Sequence, residues 1–234
     1  DAWKPLMDLI DFCNTDINYF KENYRKYFYY DNLVDYALFI MGNNIIDNLM
    51  KNTHLSCSDI NVNKTFLITP WDLDCSLGGL YEGSHYEENT KLTNLIENKL
   101  YNQLYIYNVD NFCTNMKDRW QELLSNIMSV DKFNSRLDSY AKIFRESGAW
   151  QREYDKWNNN PVPLDLDVEL EYVKEWYVKN IKALNQILGL SSSIENFISP
   201  YIKDNKIYTI DGKYINRSNN YRGVCISNGK KILK

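Results

Sequence analysis

The 234-residue chain has little glycine (9), only two histidines, and no CxxC pair among its five cysteines. Each shortage removes a class of function. There is no GxGxxG and no GxxxxGK[ST], so neither a dinucleotide fingerprint nor a P-loop is present. GxSxG and HExxH are missing as well. His54 falls in a predicted strand and His85 in a Gly/Ser loop; both read as ordinary surface or edge residues rather than as the base of a Ser-His-Asp hydrolase. Cys13, Cys57, Cys75, Cys113 and Cys225 are odd in number and lack metal-ligand spacing, which argues against a zinc site or a full disulfide framework. They read mostly as buried small apolar residues. No run of 18 apolar residues occurs, so no transmembrane segment is expected. Residues 1–20 lack the basic start and apolar core of a signal peptide, so any such signal is expected upstream of Asp1.

What is present is a body with 44% apolar residues, enough for a sizeable core. The net charge of -4 hides an asymmetry: residues 201–234 carry a net +6 and the remainder a net -10. An acidic body is a poor nonspecific nucleic-acid binder and suits metal cations or basic peptides better; a surface charged for solubility explains it equally. Asn is abundant (30), which blurs turn prediction.

The pattern predicts a mainly helical α+β fold. A short helix spans 4–13, with Pro5 near its start. A second, capped by Thr15 or Asp16, runs to about Phe28, and a third is capped by Asp31. The third carries Leu33, Val34, Ala37, Leu38, Met41 and Ile45 at helical spacing and breaks around Gly42-Asn43-Asn44. Thr53–Cys57 and Thr65–Thr69 then read as a β-hairpin. Residues 87–189 are helical again. Their core stripes are Leu92/Leu95/Ile96/Leu100/Leu104, Phe112/Met116/Trp120/Leu123/Leu124/Ile127, Phe133/Leu137/Tyr140/Ala141/Phe144, and Leu170/Val173/Trp176/Tyr177/Ile181/Leu184/Leu188. The third of these continues past Gly148 to Trp157, and Gly189 closes the last helix. Two units are expected: a body over 1–190, and a linker with a small basic β-rich tail over 191–234, where Asp211-Gly212 and Asn228-Gly229 signal hairpins.

The remaining chemistry is acidic. Asp47-x4-Asn52 has the spacing of a protein-kinase catalytic loop, in which the Asp accepts the substrate hydroxyl proton and the Asn binds metal. Asp72 and Asp74 follow in Pro70-Trp-Asp-Leu-Asp-Cys-Ser-Leu-Gly-Gly79, and a hairpin would bring both segments to one edge. Asp and Asn oxygens are hard ligands suited to Mg²⁺ or Mn²⁺. Asp165-Leu-Asp167 is a similar pair that reads better as a helix start.

The segments YYDNLVDYALF, Asp47 with Asn52, PWDLDCSLGG, RWQELL and EYVKEWYVKNIKALNQILG together resemble the CotH kinase-like family, over roughly residues 1–190. The resemblance implies the C-terminal lobe of an atypical protein-kinase-like fold and metal-dependent transfer of phosphate from ATP to Ser or Thr of a protein. It implies Asp47 as catalytic base, Asn52 and Asp72 as metal ligands, Asp74 as an aid at the metal or the loop, and Phe66 as the aromatic facing adenine, although a core position is the preferred reading of Phe66. It also implies an N-terminal lobe upstream of Asp1. Leu49 and Met50 depart from the polar or Gly residues expected after the Asp. The tail, IYTIDGKYIN…RGVCISNGKKILK, is similar to C-terminal sorting-type domains of secreted Bacteroidetes proteins, which implies export to the cell surface or periplasm. Two rival readings are a kinase-fold structural or adhesion protein without activity, and a Ca²⁺-stabilised carbohydrate-binding module; the helical stripes weigh against the second.

Overall fold

In the computed structural model, described residues are 3–86, 92–157 and 165–190, together with four strands of the tail. The chain divides into two compact units, Asp1–Ser193 and Ile194–Lys234.

The first unit is built around α3 (Tyr30–Asn43). Leu33, Val34, Tyr36, Ala37, Leu38, Ile40 and Met41 are all buried, so this helix is apolar on nearly every side and must be surrounded. It packs against α5 (Phe112–Ser125), α8 (Leu166–Ile187) and strand β2 (Leu67–Pro70). Two shorter helices, α1 (Lys4–Cys13) and α2 (Ile17–Asn23), precede it; α4 (Lys99–Ile106), α6 (Val130–Ser147) and α7 (Ala149–Lys156) complete the helical set among the described residues. Trp120 of α5 is fully buried and donates its indole N–H to Asn185 Oδ1 at 2.8 Å. Its ring lies so near Gly42 that an added Cβ would come within 3.1 Å. Asn180 of α8, also buried, donates to the carbonyls of Met41 and Gly42 in the last turn of α3.

Several starts are capped as the sequence predicts. Asp16 accepts from the N–H groups of Asn18 and Tyr19, and Asp165 from those of Asp167 and Val168. Asp31 does not cap α3. That helix begins one residue earlier, and Asp31 lies in its first turn, where a negative charge still favours the helix dipole. The second helix stops at Asn23 and gives way to a 3₁₀ turn, Tyr24–Lys26. Gly148 adopts φ 66° and separates α6 from α7, so the predicted continuous helix is two. Tyr140 and Phe144 of the third stripe are exposed, since α6 reaches the core mainly through Val130 and Ala141. Of the four cysteines described, only Cys75 is buried, and Cys13, Cys57 and Cys113 are half-buried free thiols.

Strands β1 (Thr53–Ser56) and β2 form the predicted hairpin, antiparallel, with Thr53 opposite Pro70 and Ser56 opposite Leu67. The second unit contains an antiparallel sheet in the order β4-β3-β5-β6, from Ile207–Thr209 (β3), Tyr214–Ile215 (β4), Val224–Ser227 (β5) and Lys230–Leu233 (β6). Asp211-Gly212 and Asn228-Gly229 lie outside the described residues. Among the described residues no helix is long and apolar enough to cross a membrane.

Trp120→Ala removes the largest buried side chain and orphans Asn185. Urea unfolding is expected to register a loss of about 3–5 kcal/mol.

Candidate functional site

The end of α3 starts the site. Asn44 takes the left-handed conformation (φ 43°, ψ 59°) and turns the chain into the segment 45–52. One helical turn follows: the Lys51 N–H donates to the Asp47 carbonyl at 3.2 Å. The same turn brings Lys51 Nζ to 2.8 Å from Asp47 Oδ2. The chain then enters β1, crosses the hairpin and leaves β2 at Pro70. The ladder continues one step beyond the strands, because the Trp71 N–H donates to the Asn52 carbonyl at 2.9 Å. Asn52 therefore lies across from Trp71, next to Asp72. A second seam runs alongside: the Ile46 N–H donates to the Cys75 carbonyl and the Leu77 N–H to the Asn43 carbonyl.

Asn52 (φ 53°) and Asp72 (φ 57°) both hold left-handed backbone, as does Leu77 (φ 54°). Asn and Asp tolerate this region better than most residues, and such conformations persist where surrounding contacts impose them. The Asp72 and Asp74 side chains are exposed, and the Asp47 side chain is 27% exposed. Asp74 Oδ1 accepts from the Cys75 N–H at 2.9 Å. Asp47 holds the Lys51 ammonium above its ordinary pKa by a hydrogen bond and by charge, and Asp72 adds to the effect. Burial raises the Cys75 thiol, with the charges of Asp74 and Asp47 contributing. The three carboxylates thus share one electrostatic neighbourhood. Among the described residues, however, no three His, Cys, Asp or Glu side chains are gathered at metal-binding distance. The donor chemistry suits a hard cation; the side chains are adjacent without converging on a point.

Phe66 is elsewhere. It is 7% exposed, its N–H donates to the Tyr27 carbonyl, and it bridges to Phe28 in the core. The exposed aromatic beside the acidic loop is Trp71, whose ring stacks on His54 at 4.9 Å. A mostly apolar cavity of about 460 Å³ is lined by Asn48–Lys51 and by Leu6, Leu9 and Ile10 of α1; Phe66 is not among its walls.

Helix α8 supports the far end of the acidic loop. The Tyr172 hydroxyl donates to the Gly78 carbonyl at 3.1 Å. His85 stacks on the Tyr172 ring at 3.7 Å and places Nε2 2.9 Å from Glu169 Oε2, so its role here is to tie the loop 79–86 to α8. Sequence reasoning missed Asn48, Tyr172 and Glu169. Asn48 is one of 30 asparagines, and nothing in its local pattern marks it. Tyr172 and Glu169 sit one helical turn or less apart on a helix read only for its apolar stripe.

A profile of the CotH kinase protein family matches residues 1–184. The chain belongs to the CotH kinase protein family. No curated protein matches it. No solved structure matches it. A kinase-like family suggests the use of ATP and a divalent metal in general.

Gly78 is the glycine this loop cannot replace. It has φ 82°, and a Cβ would fall 2.4 Å from the Tyr172 hydroxyl and 2.6 Å from Trp176 Cδ1. Gly78→Ala is expected to cost about 2–4 kcal/mol in urea unfolding.

Proposed function

We propose that this CotH-family chain is the C-terminal lobe of an atypical protein kinase that transfers phosphate from ATP to Ser or Thr of an exported or surface protein. The observation that carries the reading is the Trp71 N–H bond to the Asn52 carbonyl, which sets the segment after Asp47 beside Asp72. Phosphoryl transfer needs positioned charge and a positioned base more than covalent chemistry. Asp72, Asn52 and Asp74 would hold Mg²⁺ or Mn²⁺, which supplies charge neutralisation on the phosphates when bound. Asp47 would take the proton of the acceptor hydroxyl as its oxygen bonds to the γ-phosphorus and the bond to the β-phosphate oxygen breaks, releasing ADP. The substrate's identity lies beyond this lobe.

Export of the protein is part of the proposal. It rests on the likeness of the tail IYTIDGKYIN…RGVCISNGKKILK to C-terminal sorting-type domains. Fractionation of the native host places the full protein outside the cytoplasmic membrane on this reading, and cytoplasmic recovery would contradict it.

One observation favours the rival, a kinase-fold structural protein without activity: Lys51 already occupies the Asp47 carboxylate. The two readings separate in the full-length protein. The kinase reading expects Mn²⁺-dependent ATP binding that Asp72→Asn abolishes. It also expects phosphate transfer that Asp47→Asn lowers by about 10²–10⁴-fold while leaving nucleotide affinity in place. The rival expects no thermal stabilisation by Mn²⁺ and ATP, and transfer that survives Asp47→Asn would sink the base assignment.

A further inference from the structure

We propose that Asn48 is the positioning residue of this site, holding the two segments that carry Asn52 and Asp72 in register through one buried amide. The inference rests on the metal-site reading above, but the clamp itself can be measured without metal.

Asn48 is fully buried. Its Nδ2 donates to two carbonyls at once, Asn52 at 2.6 Å and Trp71 at 2.7 Å. Those carbonyls belong to the peptide units joining residues 52–53 and 71–72. Each candidate ligand therefore has one of its flanking peptide units fixed by the same NH₂ group. Both are the residues whose backbone is left-handed, a conformation that needs outside support. The amide cannot be turned around, because both neighbours are acceptors and only an NH₂ satisfies them.

Asn48 is itself anchored. Its carbonyl accepts from the Tyr36 hydroxyl of α3 at 2.6 Å and from the Thr53 hydroxyl at 2.8 Å. The core helix is thereby linked through Asn48 to both acidic segments. The arrangement is not free. Asn48 Oδ1 is buried with no partner among the described residues, an unfavourable state for a carbonyl oxygen. An amide that leaves its oxygen unpaired to place both hydrogens on the site backbone serves as a clamp.

The test uses the full chain and two readouts: hydrogen exchange at the Trp71 amide, and Mn²⁺ affinity by electron paramagnetic resonance. Asn48→Asp has the same shape but no donor. It is expected to speed Trp71 exchange at least tenfold and weaken Mn²⁺ at least tenfold, with near-ultraviolet circular dichroism confirming the fold. Asn48→Gln keeps the NH₂ and is expected to recover part of both. Gln103→Leu removes a buried amide that bonds only the Cys13 carbonyl, and is expected to move neither readout. Asp72→Asn is expected to abolish Mn²⁺ binding with Trp71 exchange unchanged. Wild-type exchange in Asn48→Asp overturns the clamp. Accelerated exchange with Mn²⁺ affinity intact makes Asn48 structural only and overturns its positioning role. Absence of Mn²⁺ binding in the wild-type chain overturns the metal reading, while the exchange result still decides whether the clamp exists.

Discussion

The register of the β1–β2 hairpin is the constraint on which the site depends. With Thr53 opposite Pro70, the next step of the ladder joins Asn52 to Trp71, and the two acidic segments meet at the open end of the ribbon. A slip of one residue would reverse the facing of every side chain in one strand and put Asp72 across from Lys51's neighbour instead. A two-stranded ribbon does not hold its register alone. Here β2 packs on α3, and Asn32 of that helix both accepts from the Ile68 N–H at 2.7 Å and donates to the Ile68 carbonyl at 3.1 Å. The core helix thus reads the position of β2 along its length through one side-chain amide.

Two further amides repeat the device. Asn180 ties α8 to the last carbonyls of α3, and Asn48 ties the loop after α3 to the exit of β2. Each places its amide hydrogens on two backbone carbonyls at once. In an apolar interior such groups cost more unpaired than a bond returns, so each amide is held strongly to one geometry. The result is an irregular segment, 44–52, tied by side-chain amides at both of its ends. Helix α8 finishes the frame from the other side, where Tyr172 and Trp176 leave room only for glycine at position 78.

The parts of this frame that repeat were legible in the sequence. Leu33, Val34, Ala37, Leu38 and Met41 of α3, the hairpin, and the Asp16 and Asp165 caps follow from period, strand formers and cap chemistry, whereas the burial of Tyr36 and Ile40 does not. The Asp-x4-Asn spacing and the Pro-Trp-Asp-x-Asp segment gave the candidate residues before any geometry. What stayed hidden depends on contacts between distant segments. Asn48 has no local signature because its partners lie 4 and 23 positions away. The break at Gly148 could not be weighed against a continuing apolar stripe, and the stripe itself misled, since Tyr140 and Phe144 keep helical spacing yet stay exposed. Phe66 illustrates the same limit: a strand position alternates faces, and which face is core is decided by what packs there.

The charge arrangement follows from the same backbone. Lys51 is the last of the four residues between Asp47 and Asn52, and the turn that closes from its N–H to the Asp47 carbonyl sets its ammonium against the Asp47 carboxylate. The spacing that looks like a catalytic loop therefore also delivers a cation to its first residue. At the surface such a pair is weak, and a side chain as long as lysine can leave it at small cost. Asp72 supplies a second carboxylate within the electrostatic reach of Lys51. An Asp-x4-Asn loop with lysine at this position carries its own neutralising charge, which lets three carboxylates sit near one another before any other cation arrives.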